Sequence, residues 1–397
     1  MKTPYPPGPQ TVLIITPFFS PNVGGVETRF DCIVDYLDRH GLRTWVRTYQ
    51  PVVTRGVKGA AHERRGKQIE IWRWNWPGGD LFHKLLEHPL LCAAYLCPGL
   101  FVSSFLLLLR RSGEISVIHA AGFNAALIAR LLFPIFRIPY VVSVHALYEF
   151  EKGSMGQRWA RWILSKAKCV LAMSPRSRAD MLSIGLDDAQ VSIHTNWIDV
   201  EKFAPMDRMR CKTALGLEGR FVIMMIGRLK RIKGVELLLE MARMLPSKDM
   251  CIVIAGDGDM SEAVVAAARD NEQLIFLGQI PNVELPATYN AADISIVPSI
   301  YDEGFSRVVL ESLCCGIPLV ASNLGLIPEE VDDTCSVLVD PSVENFLSVI
   351  NELYDAPERL KAMAQSARDF GAARYSEKNM STILDAYGMP LEQEDVN

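Results

Sequence analysis

The same order of signals opens twice along this chain, and that repetition is the strongest constraint on its fold. Val12-Leu-Ile-Ile15 is a short apolar run; the turn-rich stretch from Thr16 to Gly25 follows, then a helical pattern from about Val26 to Tyr36 that ends near Gly41. In the second half Phe221 to Ile226 is again an apolar run, Gly227-Arg-Leu-Lys-Arg-Ile-Lys-Gly234 is again a glycine-bounded loop, and a helix is expected through Met244. Strand, glycine turn and helix in this order form the opening unit of a doubly wound α/β sheet. A second opening means a second sheet. Further strands are expected near Thr44, Ile69, Val117, Tyr140 and Cys169 in the first half, and near Cys251, Leu274, Ile294, Leu319 and Ser336 in the second, with helices between them. The boundary is expected near Phe203-Ala-Pro205, with no low-complexity linker and no short-period repeat.

Length agrees with two domains, since 397 residues exceed what one core ordinarily organises. A net charge of -5 gives no general reason to expect a nucleic-acid partner. Nine scattered cysteines without paired C-x-x-C sets read neither as a disulfide framework nor as a zinc site, so a reducing cytoplasm is the expected compartment. The Pro-rich start, Met1 to Gln10, reads as a lead-in rather than a signal peptide.

One segment strains the soluble reading. Pro89 to Leu109 carries no charged residue over about the length of a bilayer span. Pro98-Gly99 near its centre is expected to break it into two short helices, and a true span would separate the two halves of the protein. A core helix and a membrane-surface helix both fit. Arg110 and Arg111 would meet lipid headgroups in the second case, with Leu106 and Leu108 as candidates to face lipid.

The chemistry concentrates in Tyr301-Asp-Glu-Gly-Phe-Ser-Arg-Val-Val-Leu-Glu311. Glu303 and Glu311 flank a Gly-Phe-Ser turn that follows the run Ile294 to Val297 and opens a helix. Free amides at a helix start suit phosphate, and a carboxylate suits ribose or sugar hydroxyls, from which it accepts hydrogen bonds. Arg228 and Lys233 stand just past a strand end, where open sheets bind ligands, and two cations there fit a diphosphate leaving group. A solvated basic face explains Lys230 and Arg231 equally well. Gly24 and Gly25 permit close approach of a ligand but lack the G-x-G-x-x-G spacing. Ala255-Gly-Asp-Gly-Asp259 reads as a tight turn rather than a calcium loop. His145 follows a strand and is either structural or functional; His119 is similarly placed, but Ala120-Ala121 leave it without evident polar company.

Taken in order, these elements resemble family 4 of the retaining glycosyltransferases. The matching stretches are Gly24-Gly-Val-Glu27, His145, Ser174-Pro175, Asn196 to Pro205, Gly227-Arg-Leu to Gly234, Ala255-Gly-Asp-Gly258, Phe276-Leu-Gly278, Ala292-Asp293, Glu303-Gly-Phe to Glu311 and Gly316-Ile-Pro318. The resemblance implies an α/β chain of GT-B architecture, two facing Rossmann-like domains with a cleft between them: 1–203 for the acceptor, 204–372 for the donor, and a last helix within 373–397 crossing back. It implies that Arg228 and Lys233 clamp the donor diphosphate while Gly25 approaches it. Glu311 would bind the ribose and Glu303 the transferred sugar; Gly304, Phe305, Ser306 and Arg307 would cradle phosphate and sugar, and Ile280 would lie by the base. His145 would lie beside the sugar, with Gly24 and Glu27 on the acceptor side. Two departures from the family pattern are Ser306 in place of a glycine and Leu326 in place of another.

The implied activity is retaining, metal-independent transfer of a hexose from a UDP- or GDP-linked donor, without a cofactor. The acceptor would be a glycan or a lipid-linked molecule in cell-surface polysaccharide or glycolipid synthesis, met in the cytoplasm or at the membrane's cytoplasmic face. A nucleotide-sugar epimerase of the same fold leaves the two glutamates and Gly24-Gly25 less well explained. A catalytically silent binding subunit has no need of Arg228, Lys233, Glu303 and Glu311 together.

Overall fold

A computed structural model describes residues 10–22, 24–54, 56–77, 81–85, 88–145, 148, 150–302 and 304–389. The chain divides into two compact units, one made of the first 194 residues together with Asn379 onward, the other of Thr195–Lys378.

In the first unit β1 (Thr11–Ile15), α1 (Gly25–Arg39), β2 (Arg43–Tyr49), β3 (His62–Arg65) and β4 (Ile69–Trp74) come first. They are followed by α2 (Leu81–Leu85), α3 (Pro89–Arg111), β5 (Ile115–Ala121), α4 (Gly122–Phe136), β6 (Tyr140–Ser143), α5 (Met155–Leu164), β7 (Cys169–Ala172), α6 (Pro175–Ser183) and β8 (Val191–Ile193). The strands form one sheet in the order β3-β4-β2-β1-β5-β6-β7-β8, parallel except for the antiparallel edge pair β3 and β4. Burial on both faces explains why β1, β6 and β7 read as continuous apolar runs rather than alternating ones. The sequence strands are all present, with ends shifted by one or two residues. β3, His-Glu-Arg-Arg, and the three-residue β8 were not foreseen, because neither has an apolar run to announce it.

The second unit runs α7 (Arg208–Ala214), β9 (Phe221–Ile226), α8 (Val235–Arg243), β10 (Met250–Ala255), α9 (Ser261–Asp270), β11 (Leu274–Gly278) and α10 (Leu285–Asn290). Then come β12 (Ile294–Val297), α11 (Arg307–Cys314), β13 (Leu319–Ser322), α12 (Ile327–Glu330), β14 (Ser336–Val339), α13 (Val343–Tyr354) and α14 (Pro357–Arg374). Its sheet is parallel throughout, in the order β11-β10-β9-β12-β13-β14. The order reverses between β9 and β12, so the crevice outside their carboxyl ends is the topological switch point at which such sheets bind ligands. The last helix, α15 (Met380–Tyr387), belongs to the first unit.

The expected break in Pro89–Leu109 does not occur. α3 is continuous over Pro89–Arg111 with Pro98 inside it. Proline removes an amide donor and crowds the preceding turn, which ordinarily kinks or ends a helix. Here Tyr49 repairs the turn: its hydroxyl accepts from the Leu100 amide at 2.9 Å and donates to the Leu96 carbonyl at 2.6 Å. The Trp76 indole donates to the Tyr95 carbonyl at 2.8 Å. Gly99 is required in this turn, since a Cβ there would meet the Trp76 ring at 2.5 Å and the Tyr49 hydroxyl at 2.7 Å. Tyr49→Phe leaves a buried amide and a buried carbonyl unmet. It is expected to lower the stability of the first unit by about 1–3 kcal/mol, read as a shift in its urea midpoint at constant slope; an unchanged midpoint would show that the repair is redundant.

α3 is neither fully buried nor free. Leu96, Leu100, Leu107 and Leu108 enter the core, while Leu106 and Leu109 are exposed. Leu108 therefore faces the sheet and cannot face lipid, contrary to the sequence expectation for that position.

Candidate active site

In the second unit, glycines shape the switch-point loops. Gly227 and Gly256 both have positive φ, and a Cβ on Gly256 would collide with the Gly227 carbonyl; one on Gly258 would collide with that of Leu229. The Gly227 amide donates to Ala255 and that of Leu229 to Asp257, at 3.0 and 2.9 Å. The Ala255-Gly-Asp-Gly-Asp turn is thus a backbone abutment that positions the loop bearing Arg228 and Lys233. Gly234 has φ 73° and lies against the Pro298 carbonyl, while the Ile300 amide donates to Ile232 at 3.0 Å. The loops after β9 and β12 are therefore joined. Arg228 is exposed at this edge, and the Lys233 ammonium lies 5.5 Å above the Tyr301 ring.

Glu311 sits on α11 and is buried. Its Oε2 accepts from the Tyr289 hydroxyl at 2.9 Å and its Oε1 from the Arg307 guanidinium at 2.8 Å. Each oxygen has one donor and keeps acceptor capacity for a further one, so the carboxylate is fixed in orientation without being saturated. Burial and the neighbouring carboxylate push the Tyr289 hydroxyl well above its ordinary pKa, which keeps it a donor. Tyr289 was missed in the sequence, where nothing marks a tyrosine on α10 as a partner of a carboxylate on another helix.

Ser306 caps α11, but its amide donates to the Glu330 carboxylate at 3.0 and 3.3 Å. This amide is already committed, so the Gly304–Arg307 cradle has one donor fewer than the sequence suggested. Gly304 and Phe305 are half-buried in the same turn, Ile280 is half-buried two residues beyond β11, and Glu303 lies outside the described residues. A recess of about 660 Å³ beside Asn290, Gly316 and Arg368 lies next to Ile317, before β13, at the opposite edge of the sheet. It contains none of the residues named for the site.

In the first unit, Gly24 is the extended residue before α1, and the Glu27 carboxylate, itself buried, folds back over it. A Cβ on Gly25 would meet nothing within 4 Å, so space is open there. His145 follows β6 and is half-buried, with Arg29 Nη1 at 3.3 Å from its Nδ1. A guanidinium only donates, so Nδ1 is the acceptor and the ring proton sits on Nε2, which has no hydrogen-bond partner among the described residues. Burial first, then the Arg29 charge, holds His145 and His194 well below the ordinary histidine pKa. The result is a neutral imidazole that presents an N–H.

His119 corrects the sequence reading, which saw no polar company for it. Its Nε2 lies 2.6 Å from the Ser143 hydroxyl and its Nδ1 2.6 Å from the Tyr387 hydroxyl of α15. Burial, helped by Arg29, lowers its pKa to about 3. Arg29 is buried and was also missed; its own pKa falls to about 10 through burial, and its Nε and Nη2 have no hydrogen-bond partner among the described residues. Among the described residues, no three His, Cys, Asp or Glu side chains are grouped to hold a metal ion.

Comparison with known proteins identifies the family. Residues 24–197 match the family model for the glycosyl transferase 4-like domain, and residues 210–370 match that for the glycosyl transferases group 1. The D-inositol 3-phosphate glycosyltransferase of Arthrobacter sp. (strain FB24) is 25% identical over 309 residues, 71% of this chain and 72% of that protein. The alpha-maltose-1-phosphate synthase of Mycobacterium tuberculosis is 27% identical over 296 residues, 68% of this chain and 76% of that protein. Among solved structures, sucrose-phosphate synthase from Thermosynechococcus elongatus superposes with a TM-score of 0.78 at 18% identity, covering 96% of this chain and 98% of that one. Anabaena HepE in complex with UDP gives 0.73 at 18% identity, covering 96% and 99%. With one family model on each unit, the chain belongs to the group 1, GT4-type retaining glycosyltransferases, enzymes of GT-B fold that transfer a sugar from a nucleotide sugar.

Proposed function

We propose that this enzyme is a metal-independent hexosyltransferase that retains anomeric configuration and acts on a glycan or lipid-linked acceptor. The observation that carries the donor assignment is Glu311, held at both oxygens by Tyr289 and Arg307 beside the switch point. Such a carboxylate is preorganised to accept from two neighbouring hydroxyls, which a ribose provides. Arg228 and Lys233 take the diphosphate and stabilise the charge that develops on it as the glycosidic bond breaks. Glu303 takes the hydroxyls of the transferred sugar, and Ile280 flanks the base. Gly25 leaves room for the diphosphate, and His145, neutral, donates Nε2–H to a sugar hydroxyl. Anabaena HepE was solved with UDP-glucose, which favours a uridine donor within this reading. Peripheral membrane contact through the exposed side of α3 suits a lipid-linked acceptor.

Thermal shift against a panel of UDP-, GDP- and ADP-sugars tests the donor site, because a ligand bound only to the folded state stabilises it by RT ln(1 + [L]/Kd). One nucleotide is expected to stand out, with hydrolysis of the same donor. No shift with any of them would refute the assignment. Because Arg228 and Lys233 are assigned the leaving-group charge, turnover is expected to survive excess EDTA. Loss restored only by manganese or magnesium would show that cations other than these two do the work.

A further inference from the structure

Three neighbouring helices on one side of the first unit, α3, α4 and α5, contain no aspartate or glutamate. The chain as a whole has 46 acidic against 41 basic residues, so this acid-free layer inverts the character of the molecule. Its inner side packs on the sheet through Leu100, Leu108, Ala129, Leu132, Ile163 and Leu164. Its outer side carries Leu106, Leu109, Leu131, Ile135, Trp159 and Trp162, each between 39% and 59% exposed. These form one surface, because side chains touch from helix to helix. Phe105 meets Phe136 at 5.6 Å, the Arg130 guanidinium lies 4.7 Å over the Trp162 ring, and Trp159 meets Trp162 edge-on at 5.6 Å. Exposed Arg110 and Arg158 belong to the same helices and exposed Arg137 ends α4, while the Arg111 guanidinium lies 5.3 Å over the Trp45 ring and that of Arg161 beside Gly185. Arg111 has Glu114, just beyond α3, at 3.8 Å.

We propose that this face docks the first unit on an anionic lipid bilayer, with the three helices lying in the headgroup plane. The proposal extends to a whole surface the α3 contact suggested above, and it stands whichever sugar is transferred. Apolar side chains interspersed with arginine, and tryptophans at the boundary, are the composition that buries shallowly among headgroups. A second copy of the chain is a poor occupant, because an isologous contact would oppose arginine to arginine. Anionic lipid supplies the missing negative charge, which attracts arginines near its surface.

The test is sedimentation with vesicles of phosphatidylcholine alone and of phosphatidylcholine with phosphatidylglycerol. The expected result is at least about tenfold stronger binding to the anionic vesicles, weakened by salt. Leu106→Asp with Leu109→Asp, and separately Trp159→Ala with Trp162→Ala, should each lower that binding about tenfold or more. All four positions are exposed, so circular dichroism and donor hydrolysis without vesicles should stay at wild-type levels; the hydrolysis assay reads the donor site independently of lipid. Wild type that ignores anionic vesicles, or variants that bind as wild type does, would overturn the proposal. So would a dimer in solution that these same substitutions dissolve, which would give the face to a second copy.

Discussion

Glu311→Gln is expected to lower sugar transfer roughly 30- to 1,000-fold, the equivalent of losing about 2–4 kcal/mol of transition-state stabilisation. The side chain is buried, so whether the fold survives decides whether the experiment is clean. A glutamine can keep its oxygen toward Arg307 and turn its amide to Tyr289, whose hydroxyl accepts as readily as it donates. The local hydrogen bonds survive while the charge offered to the ribose disappears. Lys233→Ala should cost a similar factor, since it removes one of the two cations assigned to the leaving diphosphate. Tyr289→Phe should fall between these variants and wild type, because it loosens Glu311 without discharging it. Turnover at saturating donor is the measurement, with the urea midpoint as control. Wild-type turnover in both Glu311→Gln and Lys233→Ala would move the donor site elsewhere.

The second large effect is on stability against pH. His119 and His194 are buried and His145 is half-buried, and their folded pKa values are lowered mainly by burial and further by Arg29. In the unfolded chain a histidine titrates near 6.5. Below that pH the unfolded state binds protons that the folded state refuses, so stability falls as pH falls and is fully present above about 7. Each of the two buried histidines contributes a slope of up to about 1.4 kcal/mol per pH unit, roughly 3 for His119 and His194 together. Carboxylates ordinarily titrate lower, so the window from about pH 6.5 down to 5 belongs to the histidines. The first unit should therefore lose about 4 kcal/mol across that window, a large share of an ordinary domain's stability, and its urea midpoint should drop between about pH 7 and 5. A flat midpoint would mean that the cluster admits a proton or opens to water.

How far the sequence was legible depended on the range of the forces involved. β9, β12 and β13 match the expected runs because a strand buried on both faces needs nothing but apolar side chains in a row. β3 is held by its neighbours instead: Arg65 pairs with Asp31 at 2.7 Å and Arg73 with Glu63 at 2.7 Å, so its charged residues are its adhesive. α3 was misread because the hydroxyl that repairs the Pro98 turn comes from β2, outside any local window. The two glutamates and the loop cations were legible as a pattern. Tyr289, Arg29 and Glu330 were not, because each acquires its meaning from a partner supplied by a different element. His119 shows the same blindness: its neighbours in sequence are alanines, while its partners arrive from β6 and from α15.

The attachment of α15 to the first unit sets a timetable for synthesis. The hydrogen bond between His119 and Tyr387 joins residues 268 apart in sequence. During translation β5 is complete long before α15 leaves the ribosome; at about 5–20 residues per second the interval is roughly 13–54 s. Throughout it the nascent first unit holds a histidine, a serine and an apolar groove that nothing yet covers. The second unit, continuous in sequence, can finish first although it is made later. A chaperone that binds exposed apolar grooves would thus meet this protein in its amino-terminal half, waiting for its last helix.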